Sequence, residues 1–152
     1  MRYLTFTENG QPPKVGVLLS DSLHVLDLSH ESLSDIVGNQ CPSLLEMVKT
    51  GLPSLTKSIT SKLESGQYDQ GAVVSIQTIS ICSPIPNPGK VVGAAYNFTD
   101  ALDERSMPYP AEPVIFIRSG NTVIGPNDPI LIPPDVGNVG YEAELAVIIG
   151  KR

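Results

Sequence analysis

The sequence predicts an α+β N-terminal domain over residues 1–80, a proline-rich linker over 81–89, and a mainly-β segment over 90–152 that reads as incomplete. Three observations carry this. The first thirty residues alternate short β-type runs with turn signals. Residues 44–63 then repeat apolar side chains at helical spacing. Finally, the stretch Ser80–Pro88 (SICSPIPNP) places three prolines in a stiff, extended connection, beyond which the chain becomes β-rich.

Arg2–Phe6 alternates polar and apolar residues and is followed by the turn signal Glu8-Asn9-Gly10. Lys14–Leu19 (KVGVLL) is the second expected strand and Leu23–Leu28 the third, separated by Ser20-Asp21-Ser22. Ser32–Val37 reads as a short helix with Ser32 or Ser34 as its cap. Cys41–Thr50 is a longer one, ended by Gly51. Leu52–Leu63 is a third helix, stopped near Gly66, whose Leu55, Ile59 and Leu63 form one buried stripe. These helices are expected to cover one face of a small sheet, and residues 1–80 to fold independently.

Beyond the linker, Lys90–Ala95 (KVVGAA) has the unbroken apolar character of a buried strand. A polar, proline-bearing loop over 97–113 holds one short helix, Asp100–Arg105. Val114–Arg118 (VIFIR), Asn121–Gly125 and Tyr141–Ile149 (YEAELAVII) read as strands. A long, β-branched strand needs partners on both sides, and few strands lie in 90–152 to supply them. By itself this segment is expected to be poorly soluble.

Sixteen acidic against ten basic residues give a net charge of −6, which repels phosphate backbones and argues against nucleic-acid binding. No apolar stretch reaches the length of a membrane span and no signal-peptide pattern follows Met1, so the cytosol is the expected compartment. Cys41 and Cys82 are expected to be reduced in that compartment, and structural or incidental rather than nucleophilic, since no histidine stands near them in a recognisable arrangement. His24 reads as a surface or strand residue, and His30, just before the first helix start, carries no chemical signal either.

Glu142 and Glu144 stand two apart in the last apolar run, so in a strand both carboxylates leave the same face. Two buried carboxylates repel each other, and a hard divalent cation with oxygen ligands compensates that repulsion. On spacing alone a solvated edge-strand face is the favoured account of the pair, since charged residues commonly blunt strand edges.

Four blocks in order resemble the fumarylacetoacetate hydrolase family. Tyr141–Lys151 (YEAELAVIIGK) is similar to its (Y/H)-E-x-E-L-x-V-V-I-G-K signature, and Pro84–Lys90 (PIPNPGK) to its P-I-P-x-P-x-K entry into the catalytic domain. Glu112–Arg118 (EPVIFIR) resembles E-P-V-x-F-x-K, and Asn121–Gly125 with Asp128-Pro129-Ile130 resembles the following turn and strand. The blocks cover residues 84–152. The resemblance implies a mainly-β, fumarylacetoacetate-hydrolase-like catalytic roll, with Glu142 and Glu144 as metal ligands for Mg²⁺ (or Mn²⁺/Ca²⁺). The family's third metal carboxylate, an aspartate on a later strand, does not occur within these residues.

The stretch Ala95–Glu104 departs from the family pattern G-x-N-Y-x-x-H-x-x-E. Asn97, Phe98 and Glu104 fill their positions, but Ala101 stands where the family has histidine. The family's histidine and glutamate activate water together, and alanine cannot take a proton. Glu104 is therefore a candidate catalytic residue without its partner, or a solvated residue of a short helix. Asn97 and Arg118 are candidate substrate-binding residues, the guanidinium suiting a carboxylate in bidentate fashion; an exposed strand-end cation is the alternative for Arg118. Tyr96 and Tyr109 line the mouth of the site or serve packing.

The resemblance implies an enzyme for a small 2-oxo-acid or β-diketo-acid, acting by C–C hydrolysis, decarboxylation or keto–enol isomerisation, as in aromatic catabolism. The rival is a non-catalytic fragment or a small-acid-binding paralogue, favoured by Ala101 and the missing third carboxylate. The expected partners are a small-molecule 2-oxo-acid and a second copy of the chain in a homodimer, with neither nucleic acid nor membrane.

Overall fold

The computed structural model describes residues 1–150. They form two compact units, one built from Met1–Ile85 with the segment from Gly125 onward, the other from Pro86–Ile124.

In the first unit, five antiparallel strands stand in the order β4-β3-β2-β1-β5. They are β1 (Arg2–Thr7), β2 (Lys14–Leu18), β3 (His24–Asp27), β4 (Val73–Ser75) and β5 (Ser80–Ile81). The turn after β1 uses its Asn-Gly signal as expected. Asn9 and Gly10 both take left-handed backbone, with φ of 48° and 73°, and Gln11 N donates to Glu8 O at 2.8 Å.

Three helices lie between β3 and β4 in the chain: α1 (Ser34–Val37), α2 (Leu44–Thr50) and α3 (Leu52–Ser65). Ser43 caps α2 in a reciprocal box with Glu46, their side chains each accepting from the other's backbone N–H. Gly51, at φ 123°, ends α2 and starts α3, and left-handed Gly66 closes α3. Leu44 and Met47 of α2 and Ile59 of α3 pack with Val15, Val17, Leu26, Leu28 and Leu33 in the main core. Leu55 and Leu63 flank it half-buried, so the expected stripe is present with Ile59 at its centre. Each fully buried aliphatic side chain of this kind contributes about 1.5–3 kcal/mol.

The other face of the sheet is also closed. Leu4, Phe6 and Val25 are buried there, with Leu18, Val74, Ile79 and Ile81 around them. Gly16 lies beneath this cluster: a Cβ on it would come within 2.4 Å of Val25 Cγ1 and 3.0 Å of Phe6 Cε1. The glycine makes room for the ring across the strands.

Several local expectations are corrected. The first helical turn is a 3₁₀ turn, Glu31–Leu33, capped by the His30 side chain rather than by Ser32 or Ser34. The short strands β4 and β5 had no clear sequence signal, because so few residues hold their conformation only by pairing with β3 and β1. The start of the proline-rich stretch is tied to the first unit. Cys82 N donates to Thr5 O at 2.8 Å, Thr5 Oγ1 donates to Pro84 O at 2.8 Å, and Ile85 is in the core.

The second unit is built on a two-stranded antiparallel hairpin, β6 (Val91–Ala95) with β7 (Val114–Arg118). The long connection carries α4 (Thr99–Glu104), and a 3₁₀ turn, Gly120–Thr122, follows β7. Leu102 of α4 is buried. The expected buried character of β6 is only half realised: Val91, Gly93 and Ala95 are partly covered while Val92 and Ala94 are exposed. All of β7 is exposed. Asn121–Gly125 is not a strand, its first residues lying in the 3₁₀ turn.

From Val123 to Gly150 no helix or strand forms, so the expected strand Tyr141–Ile149 is absent and its side chains are exposed. A strand exists by exchanging backbone hydrogen bonds with a neighbour, and none of the described residues pairs with this run. Among the described residues, no helix is long and apolar enough to cross a membrane.

Candidate functional site

The second unit carries Asn97, Glu104 and Arg118. Asn97 follows Tyr96, whose φ of 56° is a left-handed conformation rare for a bulky side chain. The chain turns there from β6 towards α4, leaving Asn97 exposed. Glu104 is the last residue of α4 and is exposed. Ala101 lies one turn earlier, so positions 101 and 104 are neighbours on one helix face. A histidine at 101 would thus adjoin Glu104, but both histidines of the chain, His24 and His30, belong to the first unit.

At the end of α4, Tyr109 OH donates to Asp103 Oδ1. That carboxylate holds the phenol proton and pushes the Tyr109 pKa up. The contact had no sequence signal. Arg118, at the end of β7, holds its guanidinium carbon 5.2 Å from the centre of the Phe116 ring.

Glu142 and Glu144 lie in the irregular, exposed segment of the first unit. Without strand pairing, the alternation that would aim both at one face is not enforced. Their oxygen chemistry suits a hard divalent cation as a partial ligand set. Among the described residues, however, no group of three or more His, Cys, Asp or Glu side chains is gathered for a metal.

The remaining charged and polar clusters of the first unit are structural. Buried Asp27 accepts from Lys14 Nζ at 2.8 Å and from Ser29 N and Oγ at 2.8 and 2.6 Å. Lys14 also reaches Glu8 at 2.7 Å. These two carboxylates, Asp27 foremost, push the Lys14 pKa up. Burial, with a smaller push from the Asp27 charge, raises the Cys41 thiol to about 11, leaving it protonated and a poor nucleophile at neutral pH. An apolar cleft of about 700 Å³ runs between Tyr3, Leu44, Val48, Leu52, Pro84 and Ile148. Its one phenol, Tyr3, is already bonded to Thr56 Oγ1 at 2.8 Å, so the cleft offers little to an acid.

Comparison with known proteins adds to this geometry. The fold resembles that of maleylpyruvate hydrolase from Sphingobium sp. SYK-6, solved in complex with manganese(II) and pyruvate. The TM-score is 0.61 at 19% identity, over 90% of this chain and 44% of that one. Residues 90–152 match the fumarylacetoacetate (FAA) hydrolase C-terminal family model. The mitochondrial oxaloacetate tautomerase fahd2 of Xenopus laevis is 34% identical over 153 residues, all of this chain and 45% of the relative. The human mitochondrial oxaloacetate tautomerase FAHD2A is 34% identical over 110 residues, 66% of this chain and 35% of the relative. The chain belongs to the fumarylacetoacetate hydrolase family, and it spans less than half the length of these relatives.

Proposed function

We propose that the protein acts on a small 2-oxo-acid by keto–enol isomerisation, with a divalent cation held in part by Glu142 and Glu144. The observation that carries this choice is Ala101 beside Glu104 on α4. Hydrolysis of a C–C bond needs an activated water, and the imidazole that would share in activating it is missing. Isomerisation needs no water nucleophile: one proton leaves the carbon next to the oxo group and one is added at the oxo oxygen. A single carboxylate, Glu104, suits the first of these transfers. Arg118 is proposed to bind the substrate carboxylate and Asn97 to orient the substrate by hydrogen bonding. The cation would supply Lewis-acid stabilisation of enolate charge. Relatives named as oxaloacetate tautomerases support the reading. The fold likeness to a hydrolase determined with manganese supports the divalent cation.

The second reading, a small-acid-binding protein without turnover, is favoured by the same Ala101. Ultraviolet absorbance following the enol of oxaloacetate with Mn²⁺ or Mg²⁺ present separates the two. The expected result is faster interconversion, lowered about 10²- to 10⁴-fold by Glu104→Gln. No acceleration by the parent protein would leave only the binding reading. Titration with Mn²⁺ should show weaker binding by Glu142→Gln, since an amide oxygen carries no net charge; equal affinities would rule out that ligand. A homodimer in the cytosol completes the proposal. Light scattering tests the first, and fractionation tests the second against the mitochondrial location named for the relatives.

A further inference from the structure

Phe116 stands directly across from Gly93 in the hairpin register. A Cβ on Gly93 would come within 2.2 Å of Phe116 Cζ and 2.6 Å of both Cε atoms, so the ring lies across the space a side chain would fill. Arg118 is two residues further along β7 and on the same face. Its guanidinium carbon sits 5.2 Å from the ring centre, within the range of a cation–π contact. Among the described residues Arg118 makes no salt bridge and donates no side-chain hydrogen bond. The cation is therefore located by a ring, which uses none of its N–H donors, rather than by a carboxylate, which would occupy them.

We propose that Gly93 and Phe116 are positioning residues that hold the Arg118 guanidinium in place with its donors free for a substrate carboxylate. The carboxylate part rests on the function proposed above; the hold of the ring on the cation does not. The arrangement lowers the conformational freedom that a long side chain must lose on binding. It also gives the bare backbone at Gly93 a specific purpose, because any Cβ there displaces the ring, and the ring carries the guanidinium with it.

The test uses the whole chain, with NMR of the Arg118 side chain and oxalate as the carboxylate probe. In the parent, the Arg118 Hδ and Hε signals should be shifted upfield by the ring. Phe116→Leu and Gly93→Ala should lose that shift, and Phe116→Tyr should keep it. Oxalate, followed by the same signals, should bind about two- to fivefold more weakly to the first two variants and as in the parent to Phe116→Tyr. Melting followed by circular dichroism should be alike for all, which separates positioning from loss of structure. An Arg118 shift unchanged in Phe116→Leu overturns the proposal. Should the shift behave as expected while Arg118→Met binds oxalate like the parent, the carboxylate role falls and the functional reading of Arg118 with it, but the hold of the ring stands.

Discussion

Gly16 of β2 lies under Phe6 and Val25, and Gly93 of β6 lies under Phe116. Both sheets thus lay an aromatic ring over a strand glycine. The surroundings differ completely. Phe6 and Val25 are fully buried, whereas Phe116 remains 38% exposed. In the five-stranded sheet, helices cover one face and a second apolar cluster closes the other. The β6–β7 hairpin has two strands, and Val92, Ile115 and Ile117 stand open on the face away from Phe116. A cross-strand pair is a local device set by register. Burial is a collective property and requires elements that arrive from elsewhere in the chain. An isolated two-stranded ribbon is marginal in water for the same reason.

The largest contrast between the regions should come from truncating apolar side chains. Ile59→Ala empties a fully buried site in the main core and should cost about 2–5 kcal/mol of stability in urea denaturation followed by circular dichroism. Ile117→Ala removes a side chain that is 74% exposed and should stay within about 0.5 kcal/mol of the parent. Equal losses would mean that Ile117 is covered in solution and that the hairpin is not the open region described above.

A smaller contrast should appear at the two glycines. Gly16→Ala forces a methyl against Val25 in a closed cluster and should destabilise by about 1–3 kcal/mol. Gly93→Ala meets a ring with open space beside it, which can swing aside at little global cost. A Gly93→Ala loss as large as that of Gly16→Ala would show that Phe116 is as confined as Phe6.

The smallest effect sharpens the electrostatic side of the comparison. The linked Lys14, Asp27 and Glu8 contacts lie in the first unit, and they raise the Lys14 pKa. A raised folded-state value means their contribution is full below the ordinary lysine range and is lost as pH rises through the higher folded value. Tyr3, whose phenol burial also pushes up, acts in the same direction. Melting temperatures above about pH 10 should therefore fall more steeply for the parent than for Lys14→Met. Parallel curves would show that the Lys14 contacts with Asp27 and Glu8 contribute no pH-dependent stability.

Much of the first unit was legible because its signals are short-range. Asn9-Gly10 dictates a turn, Gly51 and Gly66 stop helices, and Leu55, Ile59 and Leu63 mark a face. The reciprocal cap of Ser43 and Glu46 is equally written in the Ser-x-x-Glu spacing, a signal that reading by apolar periodicity passes over. Strands β4 and β5 were not legible, since two or three residues carry too little pattern to identify a strand whose conformation depends on a distant partner. The run Tyr141–Ile149 shows the converse, a strong β pattern without a pairing partner. For the candidate site, the motif blocks brought out Asn97, Glu104, Arg118, Glu142 and Glu144, and the vacancy at Ala101. Phe116 was visible only as part of a strand.

By itself, then, the sequence determined the turns, most helix ends, the main strand segments and the residue types offered for chemistry, all of which depend on neighbours a few positions apart. The tertiary structure alone decided that both faces of the first sheet are closed, that His30 rather than a serine caps the first turn, and that the Arg118 cation rests on a ring laid over Gly93. The reason is physical: propensity acts along the chain, whereas burial, pairing and the placing of a charge depend on what residues far apart in sequence bring to the same point in space.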